Sequence, residues 1–95
     1  DQALNLYAFH FDVPARRVSA RCFAADMGEV EDPATGSAAG PLIAYLQDCL
    51  DIDRVTIDQG AQMGRPSRLE AKMESGRPRV SGDVTVLSVG RVRLP

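Results

Sequence analysis

Apolar and polar residues alternate along two segments near the start of the chain. Residues 3–11 combine aliphatic and aromatic side chains and are followed by Asp-Val-Pro, a pattern typical of a strand and its end. In residues 18–24, Val18, Ala20 and Cys22 fall on one face and Ser19 and Arg21 on the other. The pattern therefore predicts two strands joined by an exposed connection.

A different spacing follows, in which apolar residues recur every three or four positions and predict a helix over residues 37–50. Its apolar positions are Leu42, Ile43, Ala44, Tyr45, Leu46, Cys49 and Leu50. A helix that is apolar nearly all round is expected to be buried nearly all round. Pro41 is tolerated only near the start of such a helix, where few hydrogen bonds are lost.

Alternation returns in the second half of the chain. It predicts strands over residues 54–58 and 68–73, a longer strand through Val80, Val84 and Val86 with a bulge at Gly82, and a last strand over residues 89–94. Glycine- and proline-containing turns separate these strands. One apolar helix among many short strands predicts an α+β fold, with a strand barrel or strongly curled mixed sheet wrapped around a central helix.

Composition narrows the class of protein. The 95 residues, 44% of them apolar, suit a single small domain over residues 1–95 that is only marginally stable in water. A net charge of −2 gives no reason to expect nucleic acid or an anionic membrane as partner. Residues 61–95 carry 7 bases against 3 acids, which indicates a solvated strand face more than a polyanion-binding surface.

Exported and membrane-spanning proteins carry recognisable sequence signals. The first residues lack the basic and apolar segments of a signal peptide, and no stretch approaches the ~20 apolar residues that span a bilayer, so we expect a cytoplasmic protein. Cys22 and Cys49 have no metal-site spacing and are expected to be reduced packing residues. His10, the single histidine, is a poor candidate for a metal ligand. Because it does not begin with Met, we expect a fragment or a processed chain.

The segment with candidate chemistry is the loop Glu-Asp-Pro-Ala-Thr-Gly-Ser-Ala-Ala-Gly at residues 31–40, which leads into the predicted helix. A helix start has unpaired N–H groups and roughly half a positive charge, which suits a carboxylate or phosphate. Small residues at 36–39 let a ligand approach the backbone, and Thr35 and Ser37 add hydroxyls. Asp32 beside this site is a candidate acid or base.

The same residues fit a purely structural interpretation. An Asp-Pro pair often opens a turn, and Thr-Gly-Ser is ordinary capping chemistry, so Asp32 could simply cap the backbone. Arg65, in a later turn, could bind a carboxylate bidentately or only fix that turn at the surface. The loop alone leaves both interpretations open.

Three segments resemble one known family. EDPATGSAAGPL at residues 31–42 resembles the signature loop and helix of the PhzF-like isomerases of phenazine biosynthesis, in the diaminopimelate-epimerase-like superfamily. Residues 21–28 are similar to the strand that leads into that signature, and residues 59–67 are similar to a second family element. In order and spacing, the resemblance covers residues 4–94.

The resemblance implies a two-domain enzyme of which this chain is most of the carboxyl-terminal half. Each half is a strand barrel around a helix, and the active site lies in the cleft between them. The residues implied are Asp32 and Ser37 for catalysis, and Thr35, Gly36, Ser37 and Ala38 for binding the carboxylate of a small-molecule substrate. The implied activity is isomerisation by proton movement at carbon, without a metal or organic cofactor.

The resemblance also implies a partner for this chain. The family's principal catalytic glutamate belongs to the amino-terminal half, and Glu31 does not match it, so we expect the chain to be inactive without that half. The loop lacks the cysteine that the related epimerases use. We expect a homodimer; the alternative function is a non-enzymatic anion-binding or oligomerisation module that retains the fold.

Overall fold

The computed structural model describes residues 5–24 and 30–95, which form one α-helix and one mixed six-stranded sheet. The elements are β1 (Asn5–Asp12), β2 (Arg17–Ala24), β3 (Val30–Asp32), α1 (Gly36–Leu50), β4 (Arg54–Gln59), β5 (Ser67–Glu74) and β6 (Arg77–Gly82). Residues 3–4, predicted to start the first strand, and residues 25–28, in the strand that resembles the family, lie outside the described residues. None of the described helices is long and apolar enough to cross a bilayer.

The helix α1 lies in the connection between β2 and β4, two neighbouring strands in the middle of the sheet. Neighbouring strands run in the order β1-β2-β4-β5-β6, and β3 pairs with β2 beyond the end of β4. The β2–β4 pair is parallel and the other pairs are antiparallel. Parallel strands cannot be joined by a tight hairpin, and α1 supplies the crossover that they need. The predicted order of strand, strand, helix and further strands is found, except that the unpredicted strand β3 precedes the helix.

The core follows the alternation in the sequence. Val18 and Ala20 of β2 and Val55 and Ile57 of β4 turn their side chains to the face that α1 covers. Ala71 continues this face on β5. The buried cluster is Val18, Ala20, Ala39, Leu42, Ile43, Leu46, Ile52, Val55, Ile57 and Ala71. Period-two patterning therefore predicted which strand residues are buried.

The helix is less buried than its composition predicted. Its buried positions all lie on one face, whereas Tyr45 is 57% and Leu50 is 52% exposed. Cys49 is also exposed, so the predicted packing role is wrong for Cys49, although Cys22 is buried. Tyr45 is exposed because the open sheet covers only one side of α1, whereas Cys49 and Leu50 lie at the end of the helix. The α+β class with a mixed sheet is confirmed, and the described sheet does not close.

Pro41 is the sixth residue of α1, farther from the helix start than predicted. Proline has no N–H, so the carbonyl of Ser37, four residues earlier, lacks its usual helical donor. Ser37 is exposed, and water can bind that oxygen. The helix nevertheless continues through Pro41 to Leu50.

The predicted strands beyond Gly82 are wrong. Within the described part of the chain, residues 83–95 form neither helix nor strand, and Leu87 is 91% exposed. Gly82 pairs with Leu69, only two residues from the start of β5 at Ser67. The residue before Ser67 is Pro66, which cannot donate to a ladder. Val84 and Val86 therefore have no strand partner on β5.

Tyr7 has an unusual hydroxyl on the inner face of β1. It pairs with Cys22 across the strands, and its oxygen is buried without a hydrogen-bond partner among the described residues. Burial raises the pKa of Tyr7 to about 12, with a smaller electrostatic contribution from the neighbouring Cys22. The neutral phenol is therefore strongly favoured in the folded chain.

Replacing Tyr7 with phenylalanine is expected to reduce the loss of stability at alkaline pH. The pKa in the unfolded chain is about 10, so stability is complete below that pH and falls as pH rises towards about 12. Phenylalanine has no proton to lose and leaves no unpaired hydroxyl, so Tyr7→Phe should equal or exceed the parent near neutral pH. Urea unfolding across this pH range measures the free energy of unfolding, and Tyr45→Phe, at an exposed position, is the control. If that free energy falls equally with pH in Tyr7→Phe and in the parent, the prediction is wrong.

Candidate active site

The predicted anion loop is the turn between β3 and α1. Asp32 is the last residue of β3, and Thr35 is the residue that precedes the first turn of the helix. Gly36, Ser37 and Ala38 form that first turn. The local sequence explains this arrangement, because Pro33 disfavours helical geometry at Asp32 and thereby delays the helix. All the predicted site residues therefore lie within one short segment at the start of α1.

The Asp32 carboxylate is held by its own loop. One oxygen, Oδ1, accepts the backbone N–H of Ala34 at 3.3 Å, and the other, Oδ2, accepts the Thr35 hydroxyl at 2.8 Å. The residue is partly buried. The bond to Ala34 is the turn-forming contact that the sequence left open beside an acid–base role. The structure thus fixes the carboxylate in one orientation at the helix start.

The helix start has two N–H groups with no role in the helix. Those of Ala38 and Ala39 both donate to the Thr35 carbonyl at 3.3 Å, whereas those of Gly36 and Ser37 precede the first helical bond. Gly36 and Ser37 are exposed, and an added Cβ at Gly36 would meet nothing within 4 Å. The predicted set of donors over residues 36–39 is therefore reduced to two that face outward with the helix dipole.

Thr35 contributes to the loop differently from a capping residue. Its side chain makes no cap bond to the helix backbone, although capping is the usual role of threonine there. Instead its hydroxyl donates to Asp32 and accepts a hydrogen bond from Nε2 of Gln59 at 2.9 Å. Thr35 is buried. Its polar group therefore links the carboxylate to the strand beneath the loop.

Gln59 and Ser67, from the second family-like segment, brace the loop from below. Gln59 is 2% exposed, and its Nε2 also donates to the backbone carbonyl of Asp32 at 2.7 Å. Ser67 Oγ donates to the Pro33 carbonyl at 2.6 Å, and the Gln59 carbonyl oxygen lies 3.1 Å from the same hydroxyl. Sequence analysis missed both residues. The available signal was that Gln59 occupies the inward position after Val55 and Ile57, where an apolar residue is expected.

The Gln59 side chain is incompletely paired. Its Oε1 is buried with no partner among the described residues. The amide cannot be reversed, because the Asp32 carbonyl accepts hydrogen bonds only and requires the nitrogen on its side. A buried unpaired acceptor costs about 1–3 kcal/mol. The loop contacts of Nε2 are therefore kept at some cost in stability.

Gly60 allows residues 59–67 to contact the loop between β3 and α1. Its φ of +88° is in the left-handed region, and a Cβ at this position would overlap the carbonyl oxygen of Arg65 and lie 2.8 Å from that of Pro33. The Arg65 N–H closes this turn on the Gly60 carbonyl at 2.9 Å. Only glycine allows the backbone of the second segment to approach the loop this closely. Arg65 itself is exposed.

Glu31 is occupied by an ion pair. Arg21 on β2 donates to both its carboxylate oxygens, at 2.6 and 3.3 Å, and the guanidinium lies 5.1 Å from the centre of the Phe23 ring. The hydrogen bond to Glu31 raises the pKa of Arg21 above its usual value. A forked arginine–carboxylate pair fixes orientation as well as charge. This pair ties β3, and hence the loop that follows it, to β2.

A cleft of about 500 Å³ lies beside the loop. Its lining residues include Ala34, Pro66, Ser67, Arg68 and Asp83, and neither Asp32 nor Ser37 is among them. Asp32 is partly buried and Gly36 and Ser37 are exposed, so this end of the loop lies at the surface of the described structure. Such a surface can form one wall of a ligand site.

Comparison with known proteins places these features in a family. A family model described as "Phenazine biosynthesis-like protein" matches residues 3–90. A trans-2,3-dihydro-3-hydroxyanthranilate isomerase from Pseudomonas aeruginosa is 42% identical over 102 aligned positions, covering 99% of this chain and 35% of the relative. The enzyme of the same name from Pseudomonas fluorescens is 39% identical with the same coverage. An uncharacterised isomerase from P. aeruginosa is 36% identical over 78% of this chain and 28% of the relative.

Proposed function

The chain belongs to the phenazine biosynthesis-like protein family, and from that premise we propose that it supplies one wall of the active site of a proton-transfer isomerase. The substrate is a small carboxylic acid. The trans-2,3-dihydro-3-hydroxyanthranilate isomerases among its relatives point to a conjugated ring acid with amino or hydroxy substituents. In the reaction, one carbon loses a proton while another gains one, so the composition of the molecule does not change.

The observation that carries the proposal is the position of the Asp32 carboxylate beside unpaired helix-start N–H groups. Gly36 and Ser37 donate to the substrate carboxylate, with support from the Ser37 hydroxyl and the helix dipole. Thr35 and Ala38 complete the binding loop. Asp32 transfers the proton, and its bonds to Ala34 and Thr35 hold it in place for that step.

The remaining wall comes from elsewhere in the protein. The chain spans about 35% of the length of the trans-2,3-dihydro-3-hydroxyanthranilate isomerases that it matches. The family resemblance assigns a second catalytic acid, a glutamate, to an amino-terminal half-domain, so we propose that the chain is inactive without that half. Further strands would then close the sheet around α1 and cover Tyr45 and Leu50, which are now exposed.

Replacing Asp32 with asparagine tests this function. In the complete gene product that carries this chain, Asp32→Asn is expected to lower kcat by about 10²–10⁴-fold, the usual contribution of a positioned acid or base. Incorporation of deuterium from D₂O into a conjugated amino- or hydroxy-acid, followed by NMR, measures it. Asp48→Asn, at an exposed position on α1, is the control and should keep the parent rate. An unchanged rate in Asp32→Asn would exclude a catalytic role.

A second candidate is a non-enzymatic anion-binding or oligomerisation module. The exposed apolar residues Tyr45 and Leu50 favour it, because exposed apolar side chains suit contact with another chain. We also propose a homodimer for the enzymatic form, so dimerisation in light scattering does not separate the two functions. They differ in turnover: the module binds small carboxylates in a calorimetric titration and exchanges no proton on carbon. Cytoplasmic location stays a prediction.

A further inference from the structure

One buried amide contacts both the backbone and, through a hydroxyl, the side chain of Asp32. Gln59 Nε2 donates to the Asp32 carbonyl at 2.7 Å and to Thr35 Oγ1 at 2.9 Å, and that hydroxyl donates to Asp32 Oδ2 at 2.8 Å. We infer that Gln59 is a positioning residue, which aligns the Asp32 carboxylate for proton transfer by acting through Thr35. This inference rests on the proposed function of Asp32.

The direction of each hydrogen bond is fixed along this path. The Asp32 carbonyl only accepts, so the nitrogen of Gln59 must face the loop. Thr35 accepts one of the two amide hydrogens, and its own hydrogen is thereby directed at the carboxylate. A hydroxyl that is free to rotate has no such preference. The amide of Gln59 therefore determines where the Thr35 hydrogen points.

The packing of Gln59 argues against a purely stabilising role. It lies on the inner face of β4 in line with Val55 and Ile57, where an apolar side chain would leave no unpaired atom. Instead the amide carries a buried Oε1 without a partner among the described residues. What glutamine adds at this position is two donors, and both reach the loop that carries Asp32.

The expected kinetic effect separates the catalytic step from binding. Gln59 has no hydrogen bond to the N–H groups of Gly36 and Ser37, which in the proposed function hold the substrate carboxylate. Loss of its donors should misalign Asp32 and leave those N–H groups in place. Misplacing a catalytic group can cost up to about a hundredfold in rate. The loss should thus be found in kcat rather than KM.

The test uses the complete gene product that carries this chain, with Gln59→Leu and Thr35→Val as the principal variants. Each is expected to lower kcat by about ten- to a hundredfold. Gln59→Leu, which changes no residue of the binding loop, should keep KM within about twofold of the parent. Thr35→Ser keeps the hydroxyl and should retain most of the rate. Gln62→Leu removes an exposed amide from the neighbouring 3₁₀ turn, and it should keep the parent kcat.

Combining the two principal variants tests whether they act along one path. The double variant should lose no more than the worse single variant, because the second change removes a connection that is already broken. Thr35→Val leaves the amide in place, so the path can be tested even if Gln59→Leu does not fold. Thermal unfolding identifies the variants that retain the native fold.

Three outcomes would overturn the inference: a folded Gln59→Leu with the parent kcat, losses that multiply in the double variant, or a raised KM with unchanged kcat. These results remain distinguishable from failure of the proposed function. If Asp32→Asn loses activity but Gln59→Leu does not, only the positioning role fails. If Asp32→Asn keeps full activity, the proposed function fails first, and the positioning role fails with it.

Discussion

Gly60→Ala is expected to lower the free energy of unfolding by about 2–5 kcal/mol. A left-handed conformation costs a residue with a Cβ about 1–2 kcal/mol, and overpacking adds about 1–3 kcal/mol. Both apply at Gly60, whose φ is +88° and whose added Cβ would meet the carbonyl oxygens of Arg65 and Pro33. These oxygens belong to backbone, so they cannot move aside as a flexible side chain would.

Gly64→Ala is the matched control for this prediction. Gly64 closes the same turn with φ of +70°, but an added Cβ would meet nothing within 4 Å. It should lose only the conformational part, about 1–2 kcal/mol. Urea unfolding followed by circular dichroism measures both variants. Equal losses would show that the close approach of Gly60 to Pro33 is not a constraint on the fold.

Ile43→Ala is expected to destabilise the protein by about 2–5 kcal/mol, the usual range for truncating a fully buried isoleucine. Ile43 is 0% exposed and lies on the face of α1 that packs on the sheet. Its neighbours in the cluster come from strands as well as from the helix, so they cannot all collapse into the space that it leaves. A cavity term is therefore expected in addition to the lost apolar burial.

Two further substitutions give reference values for the stability loss in Ile43→Ala. Ile43→Val removes one methylene and should cost about 0.5–1.5 kcal/mol. Leu50→Ala, at the half-exposed end of the same helix, should stay within about 0.5 kcal/mol of the parent because it is a surface change. The measurement is again the midpoint of urea unfolding. A larger loss for Leu50→Ala than for Ile43→Ala would contradict a core centred on Ile43.

Local periodicity predicted most of the elements. The helix predicted over residues 37–50 is observed at Gly36–Leu50, and the alternation through Val55 and Ile57 identified both the strand and its buried face. Such patterns suffice when the apolar face of an element packs against another element of the same chain. The short strand β3 was missed because three residues give too little alternation to detect.

Features that depend on a distant partner could not be predicted from the sequence. Val84 and Val86 alternate like strand residues. The strand that should pair with them, β5, begins only at Ser67, directly after Pro66. Tyr45 and Leu50 are apolar, yet their burial depends on whether a further layer covers α1. A sequence pattern reports the chemistry of a side chain and not the presence of the surface that would cover it.

For the candidate site, the sequence predicted the position of the loop better than the hydrogen bonds within it. Small residues and an acid before an apolar helix correctly located a loop at the helix start. The pattern did not reveal that Thr35 serves Asp32 rather than the helix, or that Ala38 donates within the first turn. The orientation of the Thr35 hydroxyl depends on Gln59, a residue 24 positions from Thr35 in the chain.

The parallel pairing of β2 with β4 affects the order in which the chain folds. Adjacent strands such as β5 and β6 pair across short turns and can form early, whereas β4 can reach β2 only after the whole helical connection is in place. The bond from Gln59 to Asp32 closes a loop of 27 residues and depends on that late step. A nascent chain would therefore complete its hairpins before Gln59 can reach Asp32 and hold the loop at the start of α1.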